Sequence, residues 1–369
     1  MRTKKILMLA LCAMLSLLVL AGCGDDPIGS YKYDWTPPVV ENLEFDFYIV
    51  TGDATTDNAK TTVKDKINQY IEDKYNTKLN IHYVSSADYA GEIDTLVGDG
   101  STKKSGIVLI NSTAMMDSLI EKGAVLNLIS QLDTKAFGKL NTQITPTLLE
   151  AARETAADGT AAMYCIPNNR VVGSYEYIVI DKAVARALNY NDTELKARTT
   201  YESTEQLRAD VTAHSDKLGG VTADQVVRFV SGADYAKRFE YSYEAGYICN
   251  VATSPAVTRD DAYASGFAIL AGTEKYERAM EIIYAINTDV TLRNYLQYGV
   301  EYTNYTVDAN GVAHPETTGI SVYQMNLLYT GDIFQAHYCD TEGWFSWTAD
   351  DATYGALQNK DASFVKAAE

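Results

Sequence analysis

The chain has 369 residues, of which 46% are hydrophobic and 22% are charged, the proportions of an ordinary globular protein. Its formal net charge of −18 argues against nucleic acid and acidic lipid as partners. Because one hydrophobic core rarely supports more than about 300 residues, we expect the chain to form two lobes.

The first residues predict a secretory signal. Arg2, Lys4 and Lys5 precede an apolar run at 6–19, which is shorter than the roughly 20 apolar residues of a membrane-spanning helix. The run ends in Leu-Ala-Gly-Cys at 20–23, which resembles the bacterial lipobox. An ordinary signal with a chance cysteine is the alternative.

The lipobox resemblance implies that residues 1–22 are a lipoprotein signal peptide and that Cys23 carries the lipid, including palmitate. Acyl chains would hold the protein on the extracytoplasmic face of the cell membrane without spanning it. Residues 23–40 are polar and interrupted by proline, which is typical of a flexible stalk.

Three cysteines remain after the signal and the lipidated residue: Cys165, Cys249 and Cys339. One disulfide with a spare thiol is possible in an oxidising compartment. Buried free thiols are the other reading, because three scattered cysteines do not form a disulfide framework.

Strands and helices alternate from residue 41 onward. Leu43, Phe45, Phe47 and Ile49 alternate with polar residues and predict a strand. Helix, strand, helix, strand and helix are then predicted, in that order, at 59–75, 79–84, 87–97, 106–110 and 113–122. Because this alternation requires crossover connections, we expect a mostly parallel sheet covered by helices.

A second series of elements follows. The predicted strands lie at 175–180, 247–251 and 266–271, and the predicted helices at 182–188, 205–213, 276–286 and 292–298. The sequence contains no internal repeat, so a solenoid is not expected.

Several stretches together resemble the extracellular solute-binding lipoproteins of bacterial ABC transporters, family 1-like and associated with carbohydrate. The matching stretches are Glu121–Leu128, Tyr164–Asn169, Ile180–Lys182, Ala268–Asp289 and Tyr298–Tyr305. The family usually has a glycine where Tyr302 stands.

The resemblance implies an α/β fold of the type II periplasmic-binding-protein class, with two α/β lobes, a hinge and an interlobe cleft. Lobe one would comprise 41–166 plus 260–300, and lobe two 170–255 plus 301–369. It also implies a protein that captures a small solute, a sugar or oligosaccharide, and delivers it to ABC permease subunits. Such a protein is a monomer, has no cofactor and catalyses no reaction.

Polar residues follow the first three strands, where open parallel sheets bind their ligands. The candidate ligand-binding residues there are Thr51, Asp53, Ser85, Asn111 and Ser112. Helix capping is the alternative role for each of them.

Four further candidates lie elsewhere in the chain. Asn168 and Asn169 follow Pro167 at the first crossing between lobes, where they either face the cleft or serve turn geometry. Trp344 and Trp347 either stack on sugar rings or belong to the core.

A hydrolase, the alternative function, would need a catalytic or metal-binding pattern of residues. The four histidines are scattered, and no nucleophile elbow, phosphate-binding loop or dinucleotide fingerprint follows a strand. No metal or cofactor is therefore predicted. A surface-anchored hydrolase and a peptide- or amino-acid-binding lipoprotein remain the alternatives to a sugar-binding protein.

Overall fold

The computed structural model describes residues 42–232 and 237–365. The predicted signal peptide, Cys23 and the stalk up to residue 40 lie outside the described residues. The strands are β1 (Leu43–Thr51), β2 (Thr77–Ser85), β3 (Ile107–Ile110), β4 (Glu154–Thr155), β5 (Ala161–Ala162), β6 (Ile166–Pro167), β7 (Tyr175–Asp181), β8 (Val227–Gly232), β9 (Tyr247–Thr253), β10 (Ala256–Val257), β11 (Gly266–Ile269), β12 (Tyr305–Val307), β13 (Ala313–Pro315) and β14 (Ser363–Phe364).

Helices connect and cover these strands. They are α1 (Asp57–Tyr75), α2 (Tyr89–Val97), α3 (Thr113–Glu121), α4 (Ile129–Leu132), α5 (Leu140–Gln143), α6 (Pro146–Ala151), α7 (Lys182–Ala187), α8 (Asp192–Lys196), α9 (Tyr201–Ala213), α10 (Ala223–Val226), α11 (Lys237–Glu240), α12 (Arg259–Tyr263), α13 (Tyr276–Thr288), α14 (Val290–Tyr298) and α15 (Ala349–Asp361). Every strand and helix predicted from the sequence is confirmed, with shifts of a few residues at the ends. The predictions missed the short elements β4–β6, β10, β12–β14, α4–α6, α8 and α10–α12, and also β8 and the 13-residue helix α15.

The larger sheet has five strands in the order β2-β1-β3-β11-β6. Strands β2, β1 and β3 are parallel, in a register that places Thr51 opposite Ser85. Strand β11 runs antiparallel to β3 and to β6. The polar turns after the first three strands therefore share one edge of the sheet, as the alternation predicted; we call it the carboxyl edge.

Helix α1 shows why the sequence forms this layer. Thr56 caps its start by accepting a hydrogen bond from Ala59 N, and Asn76 closes its end in the left-handed conformation. Val63, Ile67 and Ile71 are spaced to share one face of the helix, and all three are fully buried. Helix α13 also buries its predicted apolar face, although no side chain caps its start.

The smaller sheet has three antiparallel strands in the order β8-β7-β9. Side chains such as Ile178, Leu207 and Ile248 form a core between this sheet and helices that include α8 and α9. A separate cluster contains Tyr175, Tyr177 and Val179 of β7. Because side chains alternate along a strand, Tyr177 and Val179 point to the face of the sheet opposite Ile178. Each sheet thus has a core of its own. The predicted lobe boundaries remain a prediction.

Tyr302, where the sequence resemblance implies a glycine in the family, has a φ of +63° and is 84% exposed. Glycine adopts this left-handed backbone without strain, whereas a bulky residue such as tyrosine rarely does.

None of the three cysteines of the folded body forms a disulfide; Cys165 and Cys339 are buried, as the buried-thiol alternative expected, and Cys249 is partly buried. Burial raises the pKa of Cys165, because a thiolate would be poorly solvated there. Among the residues that the structure describes, no helix is both long enough and apolar enough to cross a membrane.

Two glycines of this fold should respond in opposite ways to the same substitution. A Cβ on Gly266, in β11, would lie 2.5 Å from Cys165 Sγ and 2.6 Å from Ile166 O, whereas a Cβ on Gly91, in α2, meets nothing within 4 Å. We expect Gly266→Ala to lower the free energy of unfolding by about 2 kcal/mol. Gly91→Ala should raise it by about 0.5 kcal/mol. Urea unfolding followed by circular dichroism measures both, and equal effects would contradict the packing described here.

Candidate functional site

A cavity of about 330 Å³ opens at the carboxyl edge, beside the ends of β1 and β2. It is lined by Val50, Thr51, Gly52, Asp53, Ser86, Gln324, Met325, Asn326, Tyr329, Gly343, Trp344 and Phe345. The structure therefore brings Thr51 and Asp53, two predicted site residues of one turn, together with a third, Trp344, that is distant in sequence. We call this the edge cavity.

One wall of the edge cavity is the turn after β1, residues 51–55, which we call the β1 turn. Gly52 N donates to Gln324 O at 2.9 Å, and Thr55 Oγ1 donates to the same oxygen at 2.8 Å. A Cβ on Gly52 would lie 2.8 Å from Gln324 O, so glycine is required for this close approach.

The opposite wall is aromatic. Residues 343–345, the aromatic segment, place Trp344 partly buried and Phe345 47% exposed beside the cavity. Tyr329 adds a third ring, and burial raises the pKa of its hydroxyl. Flat aromatic faces with hydroxyl and amide groups around them suit a ligand that has apolar C–H faces and many hydroxyls.

The charge of the edge cavity is low. Asp53 is the one acidic side chain among its lining residues, and none of them is lysine or arginine. An uncharged polar ligand would therefore find hydrogen-bonding groups here, and no lysine or arginine on the lining would need an anionic partner.

Three other candidates at the carboxyl edge do not line the edge cavity. Ser85 Oγ donates to Asp88 Oδ2 at 2.7 Å and accepts from Asp88 N at 3.2 Å. Ser112 caps α3 by accepting from Met115 N at 3.2 Å, beside a different cavity between α2 and α3. Asn111 is partly buried directly before it. Ser85 and Ser112 thus have the capping or turn role that was their alternative.

The two asparagines at the crossing are buried in the fold. Asn168 Nδ2 donates to Ser265 Oγ at 2.9 Å and to Leu328 O at 3.0 Å. Asn169 is 5% exposed, and its Oδ1 accepts two hydrogen bonds from Thr145. Asn169 also lines a second cavity, of about 660 Å³, on the side of α5 and α6.

Asn169 belongs to a buried charged network. Its Nδ2 donates to Oδ1 of Asp332 at 3.2 Å, and Gln143 Nε2 donates to the other carboxylate oxygen at 2.8 Å. Arg293 Nε donates to the main-chain oxygen of Asp332 at 3.1 Å. Burial lowers the pKa of Arg293 to about 10 and raises the pKa of Asp332, because neither charged form is well solvated there.

Trp347 lies apart from Trp344. It is 4% exposed and packs in a core cluster with Leu327 and Ile333, edge-on to Phe334 at a ring-centroid distance of 5.5 Å. It therefore has the core role that was the alternative to sugar stacking.

The sequence reasoning missed Gln324, Asn326 and Tyr329. They lie on a segment with little regular structure, and no local pattern connects them with a strand end 270 residues earlier. Phe345 stands between the two tryptophans, so the aromatic cluster itself was visible in the sequence.

Within residues 42–232 and 237–365, no group of three histidine, cysteine or acidic side chains could hold a metal ion.

Comparison with solved structures identifies the class of fold: the chain has the α/β fold of extracellular solute-binding proteins. One similar structure is the N-glycan transport solute binding protein (NgtS) from Streptococcus pneumoniae in complex with Man1GlcNAc, at 15% identity and a TM-score of 0.52, covering 87% of this chain and 84% of that one. The same protein without a named ligand gives 15% and 0.53, and its complex with Man5GlcNAc gives 14% and 0.53, each covering 87% and 83% of the two chains. No family model and no curated protein sequence matches the chain.

Asn169 should be needed for folding. Asn169→Ala removes a donor from the buried carboxylate of Asp332 and an acceptor from Thr145, so we expect the free energy of unfolding to fall by about 3 kcal/mol. Asn111→Ala, at the end of a neighbouring strand, should change it by about 0.5 kcal/mol or less. Chemical unfolding curves of the two variants test this difference, and a stable Asn169→Ala protein would show that the network is dispensable.

Proposed function

We propose that this chain is a binding protein that captures a saccharide in the edge cavity and delivers it to the permease of an ABC transporter. The observation that carries the proposal is the pairing, at the carboxyl edge of a parallel sheet, of the polar β1 turn with the aromatic segment. Open α/β sheets bind their ligands at that edge.

The chemistry of the cavity favours a saccharide over a peptide. The rings of Trp344 and Phe345 can stack on the C–H faces of pyranose rings, while Thr51, Asp53 and Asn326 can bond hydroxyl groups. With no lysine or arginine on its lining, the cavity has no partner for the carboxylate of an amino acid. The similar fold of NgtS, whose solved complexes hold Man1GlcNAc and Man5GlcNAc, supports the same ligand class.

Closure of two lobes would trap the ligand. The smaller sheet is joined to the larger one through residues 168–174 and 254–265, and we propose that the hinge lies in these two connections. Lobe one would then be 41–166 plus 260–300, and lobe two 170–255 plus 301–369. A ligand that contacts both lobes favours the closed state because it binds that state more tightly.

No catalytic role is part of this proposal. The edge cavity contains one carboxylate and no histidine, cysteine or lysine, so it has no acid and base pair for hydrolysis. The protein would act as a monomer, without a cofactor, on the extracytoplasmic face of the membrane, held there by the lipid on Cys23.

Trp344 should provide much of the affinity for saccharides. The wild-type protein should melt at a higher temperature in the presence of Man1GlcNAc, because the ligand binds only the folded state. Trp344→Ala should weaken binding about 20-fold, since an aromatic stacking contact contributes roughly 1–2 kcal/mol. Isothermal titration calorimetry measures the affinities of the wild type and of Trp344→Ala for Man1GlcNAc.

The control for Trp344 is Phe229→Ala, which removes an exposed ring from β8 of the smaller sheet. That variant should bind the saccharide as the wild type does. Equal affinity of Trp344→Ala and wild type would rule out the edge cavity as the site. Release of monosaccharide products over time would instead favour the hydrolase.

Lipid attachment can be tested with a matched pair of cysteines. In cells that express the full chain, Cys23→Ser should abolish incorporation of an alkyne-labelled palmitate and release the protein from the membrane fraction. Cys12→Ser should leave both unchanged, because Cys12 is removed with the signal peptide. Continued labelling of Cys23→Ser would disprove the anchor.

A further inference from the structure

Gln324 contacts both walls of the edge cavity. On one side its main chain pairs with the β1 turn: its oxygen accepts from Gly52 N and Thr55 Oγ1, and its N donates to Thr55 Oγ1 at 2.9 Å. On the other side its Nε2 donates to the carbonyl oxygen of Gly343 at 2.7 Å, at the start of the aromatic segment. One side chain therefore links two walls that no regular secondary structure connects.

The chemistry of this link fixes the orientation of the carboxamide. A carbonyl oxygen only accepts hydrogen bonds, so the NH₂ group of Gln324 must face Gly343. The side chain also lies directly on Gly52, where a Cβ would come 3.0 Å from Oε1 and 3.2 Å from Cγ of Gln324. The glutamine side chain thus has little freedom to turn away while the β1 turn keeps its conformation.

Further hydrogen bonds of the aromatic segment stay within its own loop. Trp344 N donates to Thr341 O at 3.1 Å, and Cys339 and Trp347 exchange two main-chain hydrogen bonds. Trp344 also packs against a hydrophobic cluster that includes Tyr298 and Tyr305. None of these contacts is made with the β1 turn. The bond from Gln324 reaches across the gap between the two walls.

We infer that Gln324 is a positioning residue that sets the width of the edge cavity by holding the aromatic segment, and with it Trp344, at a defined distance from the β1 turn. The inference deepens the proposed function and rests on it for the effect on saccharide binding. The positional effect on Trp344 does not depend on any ligand.

The test replaces Gln324 by Met, which keeps the length of the side chain and removes the donor. The full chain is labelled with 5-fluorotryptophan, and the fluorine resonances of Trp344 and Trp347 are assigned from W344F and W347F. In Q324M we expect the Trp344 resonance to shift or broaden and the Trp347 resonance to stay in place. The affinity for Man1GlcNAc should fall about tenfold, as for a lost hydrogen bond and a less ordered wall.

The matched control is Q206M. Gln206 donates to Asp210 Oδ1 at 2.8 Å on the exposed side of α9, so its loss should change neither tryptophan resonance nor saccharide affinity. If Q324M does not fold, Q324N serves instead, because its carboxamide is too short to reach Gly343 from the same backbone.

Each outcome decides a separate point. An unchanged Trp344 resonance in Q324M overturns the positioning role whether or not a saccharide binds. Equal shifts of both resonances mean a general structural role and also overturn it. A shifted Trp344 resonance with unchanged affinity refutes the claim that cavity width governs binding. If the wild type binds no Man1GlcNAc while Trp344 shifts, the positioning role stands and this saccharide fails as the ligand.

Discussion

The architecture depends on two charged side chains, Arg293 and Asp332, that are buried next to each other and joined through the main-chain oxygen of Asp332. Arg293 and Asp332 are both fully buried, and the pKa values of the two side chains move toward neutrality. Burying such groups costs several kcal/mol unless hydrogen bonds replace the lost water. Gln143, Asn169 and the main-chain N of Phe334 provide such bonds to the carboxylate of Asp332. The main-chain oxygens of Asp332 and Leu327 accept from Arg293, whose remaining guanidinium nitrogen has no protein partner.

This network has a direct consequence for the site. The segment 324–335 contains only two single turns of 3₁₀ helix, yet it crosses the edge of the sheet from Gly52 to Asn168. Its two ends are held by main-chain hydrogen bonds at the β1 turn and by the buried network near Asp332. Although it has little regular secondary structure, this segment is held in place and lines the edge cavity with Gln324, Met325, Asn326 and Tyr329.

Helix α15 extends the same arrangement to the connection between the two sheets. Asn359 accepts from Val172 N at 3.0 Å and donates to Arg170 O at 2.8 Å, and Gln358 donates to the main-chain oxygens of Val172 and Gly173 at 2.9 Å each. The aromatic segment lies four residues before the start of this helix. A ligand that moved Trp344 would thus act on the segment that leads into α15, the helix that hydrogen-bonds the proposed hinge at residues 170–173.

Local patterns in the sequence determined the strands and helices of the larger sheet, because alternating apolar residues in β1 and the helical spacing in α1 and α13 report burial directly. They also placed the polar turns on one edge, since parallel strands end together. Helix α15 was missed although Thr348 and Asp351 form its capping box, a signal short enough to be overlooked among acidic residues.

Only the tertiary structure decided which candidates meet at a site. Trp344 and Trp347 look equivalent in sequence, yet Trp344 lines the edge cavity and Trp347 packs in the core. The difference comes from contacts between residues far apart in the chain, such as Gln324 and Gly52. Such contacts depend on how the chain folds back on itself, and no local pattern predicts them.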